Sequence, residues 1–248
     1  MTAQEKPTIL LIHGAWHLPL HYSSLIDPLR SSGYTVLAPY LVTTGYDDSI
    51  DDKTHVDSTK QIREYLRPLL DQGRKIVVVA HSAGGIVATG ATVGLTLEDR
   101  AAQGLQGGII SVVYIAALTD PKQGRPDAPI PFPPGWTDYK KRPVPEDLAR
   151  MLFFDDVEES RQKKALQMIV WQSEKMYDND QLHAASDVRA PKTYVVCKTD
   201  KIVPPEGQYQ RAAAAGATLV ELDCAHSPFL LDKETEILVD VIIKATQV

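Results

Sequence analysis

The segment Val77-Val78-Val79-Ala80-His81-Ser82-Ala83-Gly84-Gly85 carries two signals at once. A β-branched run of the kind that forms a strand buried on both faces stops at a serine flanked by small residues, and helix-compatible sequence begins at once. This is the setting of a nucleophile elbow, Gly-x-Ser-x-Gly between a strand and a helix. The serine must occupy a strained turn so that its Oγ projects into the crevice above the strand ends. Bulky residues two positions away would collide with that turn. Gly84 meets the requirement on one side and Ala80 stands in for the glycine on the other. The same residues also fit an ordinary strand-to-helix turn with Ser82 as N-cap, so the segment has to be read in its context.

Working outward, short apolar runs recur at Thr8–Ile12, Thr35–Ala38, Lys75–Ala80, Ile109–Ala116, Thr193–Cys197 and Thr218–Leu222. Amphipathic stretches separate them: His21–Ser32, Val56–Gln72, Ala83–Gly94, Pro205–Ala215 and Lys233–Ala245. In the second of these, Val56, Ile62, Leu66, Leu69 and Leu70 form one expected face, and Gly73 ends it. Strand–helix alternation predicts an α/β fold whose sheet is mostly parallel and doubly wound, with about six strands. The alternation breaks between Thr119 and Ala190, first in a proline-rich stretch and then in two helical segments, about Pro145–Phe153 and Val157–Tyr177. We expect residues 1–118 and 190–248 to form the core, and 119–189 a helical lid inserted after the fourth strand. A separate domain with so much proline would have a thin core.

Composition narrows the function. The 248 residues carry 26 Lys and Arg against 32 Asp and Glu, a net charge of −6, which argues against nucleic acid or an anionic membrane as partner. No run approaches the roughly 18 apolar residues of a membrane span, and Thr8–Ile12 is too short for a signal-peptide core. A cytoplasmic protein is expected. Two cysteines, Cys197 and Cys224, rule out a disulfide scaffold or a cysteine-based zinc site. His13, His17 and His21 are spaced by four, but Gly14 and Pro19 break the helix a metal site would need. The acidic pairs Asp47-Asp48, Asp51-Asp52 and Asp155-Asp156 lack a calcium-loop pattern and read as solvated. Arg161–Lys164 reads as the wet face of a helix.

Three further segments bear chemistry. Ile12-His13-Gly14-Ala15-Trp16 follows a strand. Cleavage of an acyl bond needs two N–H donors aimed at the oxyanion, here those of Ala83, after the serine, and of Ala15. Asp223-Cys224-Ala225-His226-Ser227-Pro228 places His226 just beyond the last strand, and Thr199-Asp200-Lys201 places Asp200 just beyond the one before it. Read singly, these are a surface histidine and a turn aspartate. Together with Ser82 they have the chain order Ser…Asp…His, each at the edge of the sheet where open α/β folds build their sites.

On these motifs the chain resembles the α/β-hydrolase superfamily, from Thr8 to Ala245, and in particular its compact single-lid esterase-like members related to plant methylesterases and hydroxynitrile lyases. The resemblance implies a catalytic triad of Ser82, Asp200 and His226 and an oxyanion hole from the N–H groups of Ala15 and Ala83. It also leaves Asp120 open as an alternative acid, since some members carry it one strand earlier. Hydroxynitrile lyases place a lysine after the catalytic histidine and use a threonine in the oxyanion loop. Here those positions are Ser227 and Gly14, which points toward an ester or lactone. Trp16, beside the oxyanion loop, and Trp136, in the lid, are candidate substrate contacts. The expectation is a serine hydrolase acting on a small-molecule substrate without cofactor or metal, as a monomer or homodimer. A C–C lyase using the same triad, and a receptor-like binding protein with a residual triad, are the competing readings.

Overall fold

A computed structural model describes residues 5–119, 144–179 and 182–248. Its strands are β1 (Thr8–Ile12), β2 (Val36–Leu37), β3 (Thr44–Gly45), β4 (Lys75–His81), β5 (Gly108–Ile115), β6 (Trp171–Gln172), β7 (Lys192–Cys197) and β8 (Thr218–Leu222). Its helices are α1 (Ser23–Ser31), α2 (His55–Asp71), α3 (Gly84–Thr92), α4 (Leu97–Ala101), α5 (Glu146–Phe153), α6 (Glu159–Gln167), α7 (Pro205–Ala215) and α8 (Asp232–Ala245). Six strands form one sheet in the order β2-β1-β4-β5-β7-β8, and every adjacent pair is parallel. The order reverses direction at β1 and β4. A crevice opens above such a reversal, and β1 and β4 are the strands that lead into His13-Gly14 and Ser82.

The central strands form where the sequence is continuously apolar because both faces are covered; the edge strand β8 is mostly exposed. Ile76 to Ala80 of β4 are at most 1% exposed, and each such valine or isoleucine contributes about 1.5–3 kcal/mol by leaving water. Helix α1 packs against α8, α2 against α3, and α7 against β7. In α2 the buried face is His55, Ser58, Ile62, Leu66 and Leu70. Val56 is 40% exposed, against expectation. At about 100° per residue it falls off the line of Ile62, Leu66 and Leu70, whereas His55 falls on it.

The region between β5 and β7 departs most from expectation. The predicted helix over Val157–Tyr177 is only α6 in its first half; β6 and a short 3-10 turn, Glu174–Tyr177, replace the rest. Tertiary pairing overrides the helical pattern here. The Val170 N–H donates to the Trp16 carbonyl at 3.1 Å, and β6 pairs antiparallel with β3. The two-residue strands β3 and β6 and the short helix α4 were not anticipated. The Thr96–Asp99 capping box, with Asp99 N–H to Thr96 Oγ1 at 3.1 Å, was the legible signal for α4. Among the described residues, no helix is long and apolar enough to cross a membrane.

Candidate active site

Ser82 sits at φ 53°, one of three non-glycine residues with positive φ among the described residues, the others being Trp16 (59°) and Ala116 (43°). All three lie just past the C-terminal end of a strand: β1, β4 and β5. A left-handed non-glycine residue costs about 1–3 kcal/mol and persists only when its surroundings over-determine it. They do so at Ser82. Its N–H donates to the Ile115 carbonyl at 3.1 Å, and its carbonyl accepts from Gly85 at 3.0 Å and Leu118 at 2.9 Å. A Cβ at Gly84 would lie 2.6 Å from the carbonyl oxygens of Ile12 and His13, and one at Gly85 2.4 Å from that of Leu118. The two glycines therefore let α3 start directly against the ends of the strands.

Asp200 and His226 come together from the loops after β7 and β8. His226 Nδ1 lies 2.7 Å from Asp200 Oδ2, and the two side chains are 1% and 0% exposed. A carboxylate accepts, so the proton of a neutral His226 is on Nδ1 and its Nε2 presents a lone pair. That Nε2 is buried and has no hydrogen-bond partner among the described residues. The carboxylate is held at both oxygens. Oδ1 accepts the N–H groups of Ile202 (2.8 Å) and Val203 (3.0 Å), and Oδ2 also accepts from Gln208 Nε2 at 3.2 Å. Gln208, itself fully buried, further accepts the Cys197 N–H at 2.9 Å and donates to the Val203 carbonyl at 2.6 Å. Asp120 and Trp136 lie outside the described residues.

The His13–His17 loop packs against the elbow. A Cβ at Gly14 would lie 2.9 Å from His81 Nδ1 and 3.0 Å from Ser82 Cβ. Its peptide orientation is fixed by buried histidines. Leu41 N–H donates to His13 Nε2 at 3.2 Å, so His13 Nδ1–H donates to the Gly14 carbonyl at 2.9 Å, which the His17 N–H also meets at 3.3 Å. The Gly14 carbonyl and the Ala15 N–H share one peptide plane and point oppositely, so pinning the first aims the second. Trp16 N–H is held by Gln172 Oε1 at 3.3 Å, and His17 Nδ1 bonds the Ala15 carbonyl at 2.8 Å.

Aromatic rings close over these loops. Phe153 of α5 lies 5.9 Å from Trp16, 5.2 Å from His17 and 6.0 Å from His226, centroid to centroid. Burial drives His13 and His21 down to about 4 and holds His17 and His81 well below the usual imidazole range. The buried histidines next to His226 are thus neutral at pH 7. Cys197 and Cys224 are buried free thiols, and the thiol of Cys197 is pushed up by its neighbour Cys224 and by burial. Among the described residues, no group of three or more His, Cys, Asp or Glu is placed to hold a metal ion.

The acidic residues Asp52, Asp155 and Asp156 are exposed, as expected, but each also makes a specific contact. Asp156 Oδ2 accepts the Ala225 N–H at 2.6 Å, Asp155 pairs with Lys201 at 2.6 Å, and Lys175 pairs with Asp52 at 2.5 Å. The first two contacts tie the segment after α5 to the loops bearing His226 and Asp200. Arg161 pairs with Asp232 at 2.6 Å and donates to the Leu230 carbonyl at 3.1 Å, so it is more than the wet face of α6. Gln172, Tyr22 and Gln208 were missed in the sequence because a lone buried polar residue has no local pattern.

The architecture and the loops gathered at its strand ends define an α/β hydrolase. The chain belongs to the alpha/beta hydrolase family, whose model matches residues 9–240. It is 24% identical over 233 residues to the alpha/beta hydrolase nvfD of Aspergillus novofumigatus, covering 91% of each chain. Among solved structures it is similar to an extracellular α/β-hydrolase from a Paenibacillus species (20% identity, TM-score 0.74, covering 96% of this chain and 98% of that one). It is also similar to a methylesterase from Arabidopsis (17%, 0.74, 97% and 99%) and a pyrethroid hydrolase from Sphingobium faniae (19%, 0.72, 97% and 97%). At these identities the structures establish a shared fold.

Proposed function

We propose that this chain is a serine hydrolase that cleaves a carboxylic ester or lactone of a small apolar substrate through an acyl-enzyme. The observation that carries the reading is the buried Asp200–His226 pair at 2.7 Å, which leaves a bare His226 Nε2. Ser82 Oγ attacks the acyl carbon as His226 Nε2 takes its proton. Asp200 keeps the proton on Nδ1 and stabilises the imidazolium. The N–H groups of Ala15 and Ala83 receive the oxyanion. Such a donor is worth about 3–4 kcal/mol in the transition state. His226 then protonates the departing alcohol, and water deprotonated by the same Nε2 releases the acid and restores Ser82.

Residues 119–189 act as a lid that shapes the acyl pocket, with Phe153 and Trp16 as its apolar walls. Esterases and hydrolases among the structural relatives support ester chemistry. Ser227, where cyanohydrin-cleaving relatives carry lysine, argues against the lyase reading. The test is labelling by a fluorophosphonate together with an aryl ester and lactone panel. Wild type should take one probe per chain at Ser82 and turn over short aryl esters, and Ser82→Ala should do neither. An unlabelled, inactive wild type refutes the proposal.

A further inference from the structure

Tyr22 and His81 form a buried chain of hydrogen bonds that the proposed reaction does not itself use. Gly14 N–H donates to Tyr22 Oη at 2.9 Å, Tyr22 Oη lies 2.8 Å from His81 Nδ1, and His81 Nε2 lies 2.9 Å from the His226 carbonyl oxygen. Each proton in the chain has one assignment. The His226 carbonyl can only accept, so His81 carries its proton on Nε2. His81 Nδ1 is then an acceptor, so Tyr22 O–H must donate to it, and the remaining Tyr22 lone pair accepts from Gly14. Tyr22 is 0% and His81 1% exposed, and the Phe229 ring covers both at 4.1 and 5.0 Å. Water has no access to replace a broken link.

We infer that Tyr22 and His81 are positioning residues that couple the oxyanion loop to the loop carrying His226, through the residue that immediately precedes Ser82. The inference rests on the serine-hydrolase reading. Three separate segments must be in register for acyl transfer: the peptide that presents Ala15 N–H, the elbow, and the backbone that carries the base. The chain begins on the first, runs through the second and ends on the third. Asp200 holds the His226 ring at Nδ1, and His81 holds its backbone. The imidazole is thus gripped at two points, while Nε2 stays free to accept a proton. Burial, with His226 alongside, keeps His81 neutral, as an acceptor at Nδ1 requires. Neither residue reaches the reacting atoms, so their loss should slow the chemical step and leave ground-state binding almost untouched.

The test has two arms. Nitrogen-15 NMR of the wild-type histidines should find His81 as the Nε2–H tautomer, with Nδ1 shifted as a strong acceptor. The Nδ1–H tautomer would overturn the inference whatever the activity. In the second arm, Tyr22→Phe should lower kcat for 4-nitrophenyl acetate by on the order of ten- to a hundredfold, the scale expected of a small misplacement of catalytic groups, with KM within about twofold. His81→Asn, which still reaches toward Tyr22 but not the His226 carbonyl, should do the same. His81→Gln, whose amide nitrogen can regain that carbonyl, should recover part of the rate. The Tyr22→Phe/His81→Asn double variant should fall little below the worse single one, because both cut one chain. Unchanged kcat in Tyr22→Phe, equal losses in the Asn and Gln variants, or multiplicative losses would overturn the coupling. Failure of wild type to react with the probe would instead refute the hydrolase reading and leave the tautomer result to decide the bond chain.

Discussion

Acidification should unfold this protein in a window set by its buried histidines. His13, His17, His21 and His81 are each at most 1% exposed. His13 Nε2 accepts the Leu41 N–H at 3.2 Å and His21 Nδ1 the Leu18 N–H at 3.0 Å, so protonating either would bring two donors face to face. Burial is the first cause in all four, and it holds His13 and His21 at about 4 and the other two well below 6.5. In the unfolded chain each titrates near 6.5. Above that pH both states are neutral and the histidines contribute no pH dependence. Between 6.5 and 4 the unfolded state binds protons that the native state refuses, so stability falls as pH falls. For His13 alone, 6.5 to about 4 corresponds to about 3 kcal/mol. His21 is lowered to a similar value and His17 and His81 are lowered in the same direction, so the histidines together remove a large part of the stability of an ordinary domain, about 5–15 kcal/mol. Urea unfolding at pH steps from 8 to 4.5 should show a midpoint steady above pH 7 that drops steeply below 6, with uptake of about four protons on unfolding. His21→Gln should reduce that uptake by about one. A midpoint flat from pH 7.5 to 5 would refute the reasoning. Asp47, Asp57 and Glu158, whose carboxyls are pulled down by local hydrogen bonds, begin to act only at the acid end of this window, as pH falls through their ordinary carboxylate range, and continue below it.

Gly84→Ala would force a methyl to 2.6 Å from two carbonyl oxygens, so a loss of about 1–3 kcal/mol and a lower Tm are expected in a calorimetric scan. Gln208→Leu would strip the Cys197 N–H and Asp200 of a buried partner; stability should fall by about 1–3 kcal/mol, with a parallel fall in kcat for aryl esters. Asp156→Ala removes the acceptor for the Ala225 N–H at a partly exposed site, so denaturant stability should change by no more than about 1 kcal/mol while kcat falls several-fold. Unchanged turnover would show that the segment after α5 does not help to hold the His226 loop.

The central strands were legible because strands buried on both faces must be apolar throughout: Lys75–Ala80 was bounded from the sequence to within a residue of β4, while the edge strand β8, Thr218–Leu222, is mostly exposed and was read from its β-branched and apolar residues. The elbow was legible because its geometry demands small residues at fixed offsets, and Gly84 and Gly85 meet backbone oxygens at those offsets. Strand-end positions brought Asp200 and His226 to one edge of the sheet, but they left Asp120 equally placed, and Asp200 was preferred through the family resemblance of its flanking residues; Asp200 is observed 2.7 Å from His226. What escaped notice depends on contacts remote in sequence. Trp171 reads as helix until Thr44–Gly45 pairs with it. Asp156 is exposed as expected, but its sequence does not announce that it also accepts the Ala225 N–H. Nothing near Tyr22 announces that its hydroxyl meets Gly14 and His81.

The left-handed backbone shared by Trp16, Ser82 and Ala116 has an evolutionary corollary. Glycine adopts that conformation without steric penalty, so at Ser82 the most robust residue differs from the one the chain carries, whereas at Trp16 the buried ring outweighs the strain. A library enriched for heat tolerance alone, with no selection for turnover, should drift toward glycine at 82 and shed its own chemistry as it hardens. Under the proposed serine-hydrolase reading, resistance to unfolding and competence to react pull in opposite directions at the same bend of the chain.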